Sequence, residues 1–195
     1  MRMGMELKPK GLLGPVVVVE PSRQMQHLLR AMLSGYGIRA VRVYSDTDSA
    51  AAFMLSDPPS VVLLDWDAGP YYGPNFLKLF RHQNMYPLCL VPIVVMFAEA
   101  RRRWVERAAR LGAQAAVVKP VAPATLHERI EWIAGGHSAL QLQGDRYVVA
   151  GTDDRLEVER ERQKQLKQAR EYQATQFAEM AAIQSDIDKI FGSTN

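Results

Sequence analysis

Two apolar rhythms alternate along the first part of this chain. Val16–Val19, Ile93–Met96 and Ala115–Val118 are short continuous apolar runs, and Val61–Asp65 is a fourth that ends on a carboxylate. Runs of that length, rich in β-branched residues, suit strands buried on both faces. Ile38–Tyr44 sets Ile38, Ala40, Val41 and Val43 among arginines and predicts a fifth strand. Between the runs the spacing becomes helical. Met25, Leu28, Leu29, Met32 and Leu33 mark a helix over Gln24–Leu33, and Asp46 caps another over Asp46–Leu55. Phe76, Leu77, Leu79 and Phe80 mark a third, and Trp104, Val105, Ala108 and Leu111 a fourth. Leu126, Ile130 and Ile133 mark a fifth over Pro123–Ile133. Gly35-Tyr36-Gly37, Pro58-Pro59, Gly112 and Gly135-Gly136 punctuate the series. Five βα units with short connections predict an α/β domain over residues 15–134. It is a five-stranded parallel sheet in (βα)5 order with helices on both faces.

The remainder follows other rules. Residues 1–14 form a flexible N-terminal segment on this reading. Residues 135–153 read as a linker, with a small hairpin over Leu140–Val149 turning at Gly144-Asp145. Asp154 and Glu157 have capping-box spacing, and no Gly or Pro occurs from Arg155 to Phe191. This predicts a long C-terminal helix over 154–191, about 55 Å from Arg155 onward. Its first half is charged, with Glu157/Arg160, Glu159/Arg162 and Glu161/Lys164 at i,i+3. Its second half carries an apolar seam near heptad spacing. Leu166, Met180 and Ile187 fall at one seam position, and Ala169, Ile183 and Ile190 at the other; Gln173 and Gln176 interrupt it. A homodimer, or docking of the helix on a partner protein, is expected.

Charge and composition narrow the function. The net charge of +3 divides unevenly: residues 151–195 carry seven Lys/Arg and nine Asp/Glu, the rest 17 and 12. An acidic tail without a compact helical unit argues against DNA binding. The single cysteine, Cys89, fits a reducing compartment. No apolar run reaches signal-peptide or membrane-span length, so a cytoplasmic protein without membrane insertion is expected. His27, His82, His127 and His137 are scattered, and no phosphate-binding glycine loop or nucleophile–His–acid arrangement is present, so no enzyme is expected. Arg101, Arg102, Arg103, Arg107 and Arg110 crowd the fourth helix. They read first as a solvated face around Trp104, Val105 and Ala108, and second as a site for an anion or an acidic partner.

The remaining chemistry sits at strand tips. Asp65 ends one strand and Lys119-Pro120 follows another, and open α/β sheets place ligands outside the carboxyl ends of their strands. With Gly73 after Asp65, Pro92 before the fourth strand and Gly112-Ala113 before the fifth, the ensemble resembles the CheY-like receiver domain of bacterial two-component response regulators. The resemblance covers about residues 14–134. It implies that Asp65 is the phosphoacceptor position and Lys119 the phosphate-side lysine. It places metal binding at Glu20, Asp65 and the Asp67 carbonyl. It puts the family's switch hydroxyl at Phe97 and its switch aromatic at Ala116.

Three of those positions have changed type. Pro21 replaces the second acid of the metal pair, Phe97 cannot donate a hydrogen bond, and Ala116 is small where a ring is usual. Phosphoryl transfer depends on positioning and charge neutralisation, and Mg²⁺ takes hard oxygen ligands. The expectation is therefore a degenerate receiver: a phosphorelay adaptor acting through a histidine kinase or a downstream signalling protein. It requires no cofactor and binds Mg²⁺ weakly at most. The alternatives are a conventional regulator phosphorylated on Asp65, and a cyclic-dinucleotide or anion effector using Arg101–Arg110.

Overall fold

The computed structural model describes residues 14–68 and 72–192. The chain begins with β1 (Val16–Val19), α1 (Arg23–Gly35), β2 (Val41–Tyr44), α2 (Thr47–Ser56) and β3 (Val61–Asp65). It continues through α3 (Tyr72–Phe80), β4 (Ile93–Phe97), α4 (Arg102–Arg110), β5 (Ala115–Val118) and α5 (Pro123–Ala134). A hairpin, β6 (Leu140–Gln143) and β7 (Arg146–Val149), precedes the long helix α6 (Thr152–Phe191). Strands β1–β5 form one parallel sheet in the order β2-β1-β3-β4-β5. The flexible segment expected over 1–14 lies outside the described residues except for Gly14, whose N–H donates to Ser60 Oγ.

Strand alternation divides the core into two layers. Val17, Val19, Val62, Leu64, Val95 and Phe97 face α2, α3 and α4. Val16, Val18, Val61, Leu63, Val94 and Met96 face α1 and α5. Both faces are covered, which is why the central strands are apolar at every position except Asp65 at the tip of β3. Leu29 and Leu33 of α1 are buried, whereas Leu28 of the same predicted stripe is exposed.

Several predicted boundaries move. Strand β2 starts at Val41, because Gly37, at φ 78°, turns the chain and Ile38 N–H closes back on Leu33 O. Asp46 does cap α2, accepting from Ser49 N–H. Asp154 does not cap α6: the helix already begins at Thr152, after Gly151 at φ 66°, so Asp154 lies inside the first turn. There its charge still suits the positive helix end.

The hairpin belongs to the same compact unit as the sheet, which runs to Thr152; α6 from Asp153 forms a second unit. Tyr147 N–H donates to Arg81 O and Gln83 N–H to Asp145 O. Beneath the hairpin lies Arg81, fully buried. Its guanidinium donates to the carbonyls of Gly112, Cys89 and Val91 and to Gln114 Oε1. Burial pushes Arg81 down to about 9, with Cys89 opposing, which leaves it protonated at neutral pH. These groups lie on the loops that enter β4 and β5, at the sheet edge opposite the tips of Asp65 and Lys119.

Gly112 permits this arrangement. It sits at φ +88°, and a Cβ there would lie 2.7 Å from Tyr147 O and 3.0 Å from Arg81. Gly112→Ala is expected to lose at least about 1–2 kcal/mol from the left-handed backbone alone. Urea unfolding followed by circular dichroism measures the loss.

Candidate functional site

The site is assembled from the carboxyl ends of β1, β3, β4 and β5. The reversal of strand order between β1 and β3 opens a crevice there. Glu20 follows β1, Asp65 ends β3 and Lys119 follows β5. The Lys119 arm spans the tip of β4 to reach both acids. Its Nζ donates to Glu20 Oε2 at 2.9 Å and, in a close contact, to Asp65 Oδ2. Each acid's second oxygen is also engaged. Ser22 N–H donates to Glu20 Oε1 at 2.9 Å, and Asp67 N–H to Asp65 Oδ1 at 2.7 Å. Glu20 is 1% exposed and Asp65 4%, so neither charge is dispersed into water.

Electrostatics account for the cluster. Burial alone would push the Lys119 pKa down. Hydrogen bonds to Asp65 and Glu20, and then the charges of both acids, outweigh that and hold it above the ordinary lysine value. Two carboxylates and one ammonium leave a net charge of −1.

The donor set is a poor fit for the divalent ion that the receiver resemblance implies. Pro21 contributes no carboxylate, and an ammonium already bridges the two acids that remain. Mg²⁺ needs near-octahedral oxygen ligation at short distance. Asp67 has an exposed side chain, and its N–H is committed to Asp65 Oδ1. Among the described residues no group of three His, Cys, Asp or Glu side chains could hold a metal ion.

Beside Asp65, the ends of β3 and β4 carry two large rings. Phe97 ends β4 and is 1% exposed. Its ring lies 5.1 Å from that of Trp66, tilted by 44°. Trp66, immediately after Asp65, is itself buried, and its N–H donates to Met96 O. Gly73 makes room for it: Gly73 N–H donates to Trp66 O, and a Cβ at Gly73 would press on Trp66 at 3.1–3.3 Å. Ala116 is half-buried and packs against the same apolar layer as Phe97. The large and small residues that the sequence places at the two switch positions therefore share one core layer. Sequence reasoning missed Trp66 and Ser22; a bulky residue directly after Asp65 was the available signal for the first.

The other predicted residues lie apart from this crevice. Arg101 precedes α4 and pairs with Glu99 at 2.9 Å, and Arg102 pairs with Glu106 at 2.9 Å. Arg110 lies 3.8 Å from Glu106. Trp104 and Val105 are half-buried where full burial was expected, and the Arg101 and Arg103 guanidinium groups lie 4.7 and 5.6 Å from the Trp104 ring centroid. Arg103 and Arg107 are exposed on the same helix. In α6 every seam residue, from Leu166 and Ala169 through Met180, Ile183, Ile187 and Ile190, is exposed. The pairs Glu159/Arg162 and Glu161/Lys164 are present at 3.9 Å. No helix among the described residues is long and apolar enough to cross a membrane.

Comparison with known proteins agrees with this fold. Residues 16–131 match the response regulator receiver domain family. The chemotaxis protein CheY-3 of Vibrio cholerae is 25% identical over 118 residues, 60% of this chain and 89% of its own. Chemotaxis protein CheY of Pseudomonas aeruginosa is 25% identical over the same length, covering 94% of its own. Among solved structures, the receiver domain of a Pseudomonas aeruginosa sensor histidine kinase superposes with a TM-score of 0.57 at 21% identity, covering 63% of this chain and 98% of that one. That structure holds a magnesium ion in its active-site cleft.

Proposed function

The chain belongs to the response regulator receiver domain family, and from that premise we propose that it is a receiver of two-component signalling that works without phosphoryl transfer. It acts as a non-enzymatic adaptor through contact with a histidine kinase or a downstream signalling protein. The observation that carries this reading is the bridge from Lys119 to both Glu20 and Asp65. In it the lysine that would steady an incoming phosphoryl group is already shared between the acceptor and Glu20.

Two substitutions reinforce the bridge. Preorganised donors stabilise developing charge, and Phe97 offers none. Its ring also packs with Trp66 where a moving residue would need space. Exchanging bulk between Phe97 and Ala116 keeps core volume, the tolerated kind of core change, and leaves no vacancy for a swinging ring. The domain thus presents one surface constantly. The partner contact includes the exposed seam of α6, with a second copy of the chain as its occupant, and DNA is not a partner.

Treatment with acetyl phosphate and Mg²⁺, followed by intact-mass measurement, tests the reading. No added phosphoryl group is expected on the natural sequence. The double variant P21D/F97T supplies the missing acid and hydroxyl, and is expected to gain one phosphoryl group that Asp65→Asn abolishes. Rapid Asp65-dependent modification of the natural sequence would overturn the proposal in favour of a conventional regulator.

A further inference from the structure

We infer that α6 associates with a second copy of itself as a parallel, in-register, two-stranded coiled coil over residues 166–190. The inference does not depend on whether Asp65 accepts phosphate. Helix α6 is 40 residues long, and its only buried residue is Thr152. Its last third nevertheless exposes Met180, Ile183 and Ile190 by 64%, 61% and 75%. Isolated helices draw little stability from propensity and i,i+3 pairs, so this apolar face needs a partner.

The seam identifies that partner as another copy. Leu166, Gln173, Met180 and Ile187 recur every seven residues, and so do Ala169, Gln176, Ile183 and Ile190. A strict seven-residue repeat keeps one stripe facing a like stripe. Flanking aromatics extend the contact: Tyr172, Phe177 and Phe191 are 68%, 71% and 79% exposed. In a parallel pair Tyr172 of one helix lies beside Phe177 of the other, and Glu179 beside Gln184. Three aromatics burying about 150 Å² each when fully covered, with the aliphatic seam, come to the order of the ~800 Å² per partner of a stable complex.

Direction follows from length and from the glutamines. In register, the parallel pair uses the whole seam, about 37 Å. Gln173 and Gln176 then meet their own counterparts, where amides satisfy one another. An antiparallel pair that matched Ile183 with Ile187 would leave Leu166 and Ala169 uncovered, one that matched Gln173 with Gln176 would set Ile187 and Ile190 against Arg162 and Glu159, and the offsets between them set isoleucines against glutamines. Polar layers in an apolar seam fix its register.

Two measurements on the full chain decide the matter. Light scattering is expected to give twice the chain mass. The triple variant Met180→Glu, Ile183→Glu and Ile187→Glu is expected to give a monomer that keeps the cooperative unfolding of the sheet domain. The one native cysteine, Cys89, is buried, so an introduced thiol reports cleanly. Gln173→Cys is expected to form an interchain disulfide under mild oxidation, and the outward-facing Thr175→Cys is not. A monomer at high concentration overturns the second copy, and a trimer or larger overturns two strands. A dimer that Gln173→Cys fails to cross-link overturns the parallel register.

Discussion

Phe97→Ala is expected to destabilise the domain by about 3–5 kcal/mol, the usual loss for removing a buried phenyl ring. The ring is 1% exposed, ends β4 and packs on Trp66, so its removal leaves a void with little freedom to collapse. Sheet hydrogen bonds hold it on one side: Trp66 N–H to Met96 O and Lys119 N–H to Phe97 O. Gly73 backs the Trp66 ring on another. Denaturant unfolding gives the free energy, and in a Trp104→Phe/Trp132→Phe background the Trp66 emission gives a local signal, since that ring loses its aromatic neighbour. Phe97→Leu, which fills more of the volume, is expected to recover much of the loss. A Phe97→Ala protein as stable as the parent would mean that the ring does not support the core there.

The strands were the most readable part of the sequence because burial on both faces leaves no polar position to blur them. Val16–Val19, Val61–Asp65 and Ala115–Val118 have the bounds read from the sequence. At the edge of the sheet the pattern weakens. Ile38 is buried outside β2, and arginine interrupts the apolar positions. Helix ends depended on backbone torsions that composition specifies poorly. Gly151 and Thr152 open α6 two residues before the acidic motif that seemed to cap it.

The candidate site was readable as a set of strand tips and less so as a set of contacts. That Asp65 and Lys119 share an edge follows from topology. That one ammonium reaches both Glu20 and Asp65 depends on side-chain reach across β4, which spacing does not encode. Arg81 gave no signal at all. Its partners are three backbone carbonyls and one amide from segments far apart in the chain, and carbonyls are the same whatever residue carries them.

Lys119→Met is expected to be as damaging as the loss of Phe97. Lys119 is the cation that both buried carboxylates share, and removing one partner of a buried ion pair typically costs about 3–5 kcal/mol. The methionine fills most of the volume of the lysine stem, so the loss reports charge and not a cavity. The double variant K119M/E20Q removes one of the orphaned charges and is expected to regain part of the stability. A full K119M/E20Q/D65N replacement, which leaves no buried charge, is expected to regain more. The pH dependence of the parent has a definite sign. The folded-state pKa of Lys119 lies above its unfolded value. Its contribution is therefore complete below the ordinary lysine range, about 10.4, and is lost as pH rises through the folded value. From neutral pH upward, stability from this bridge should stay flat and then fall in strong alkali, and Lys119→Met should abolish that alkaline fall. Urea midpoints of parent and variant from pH 7 to 11 measure both effects. Equal stability of the two proteins at pH 7 would show that the bridge does not hold the site together.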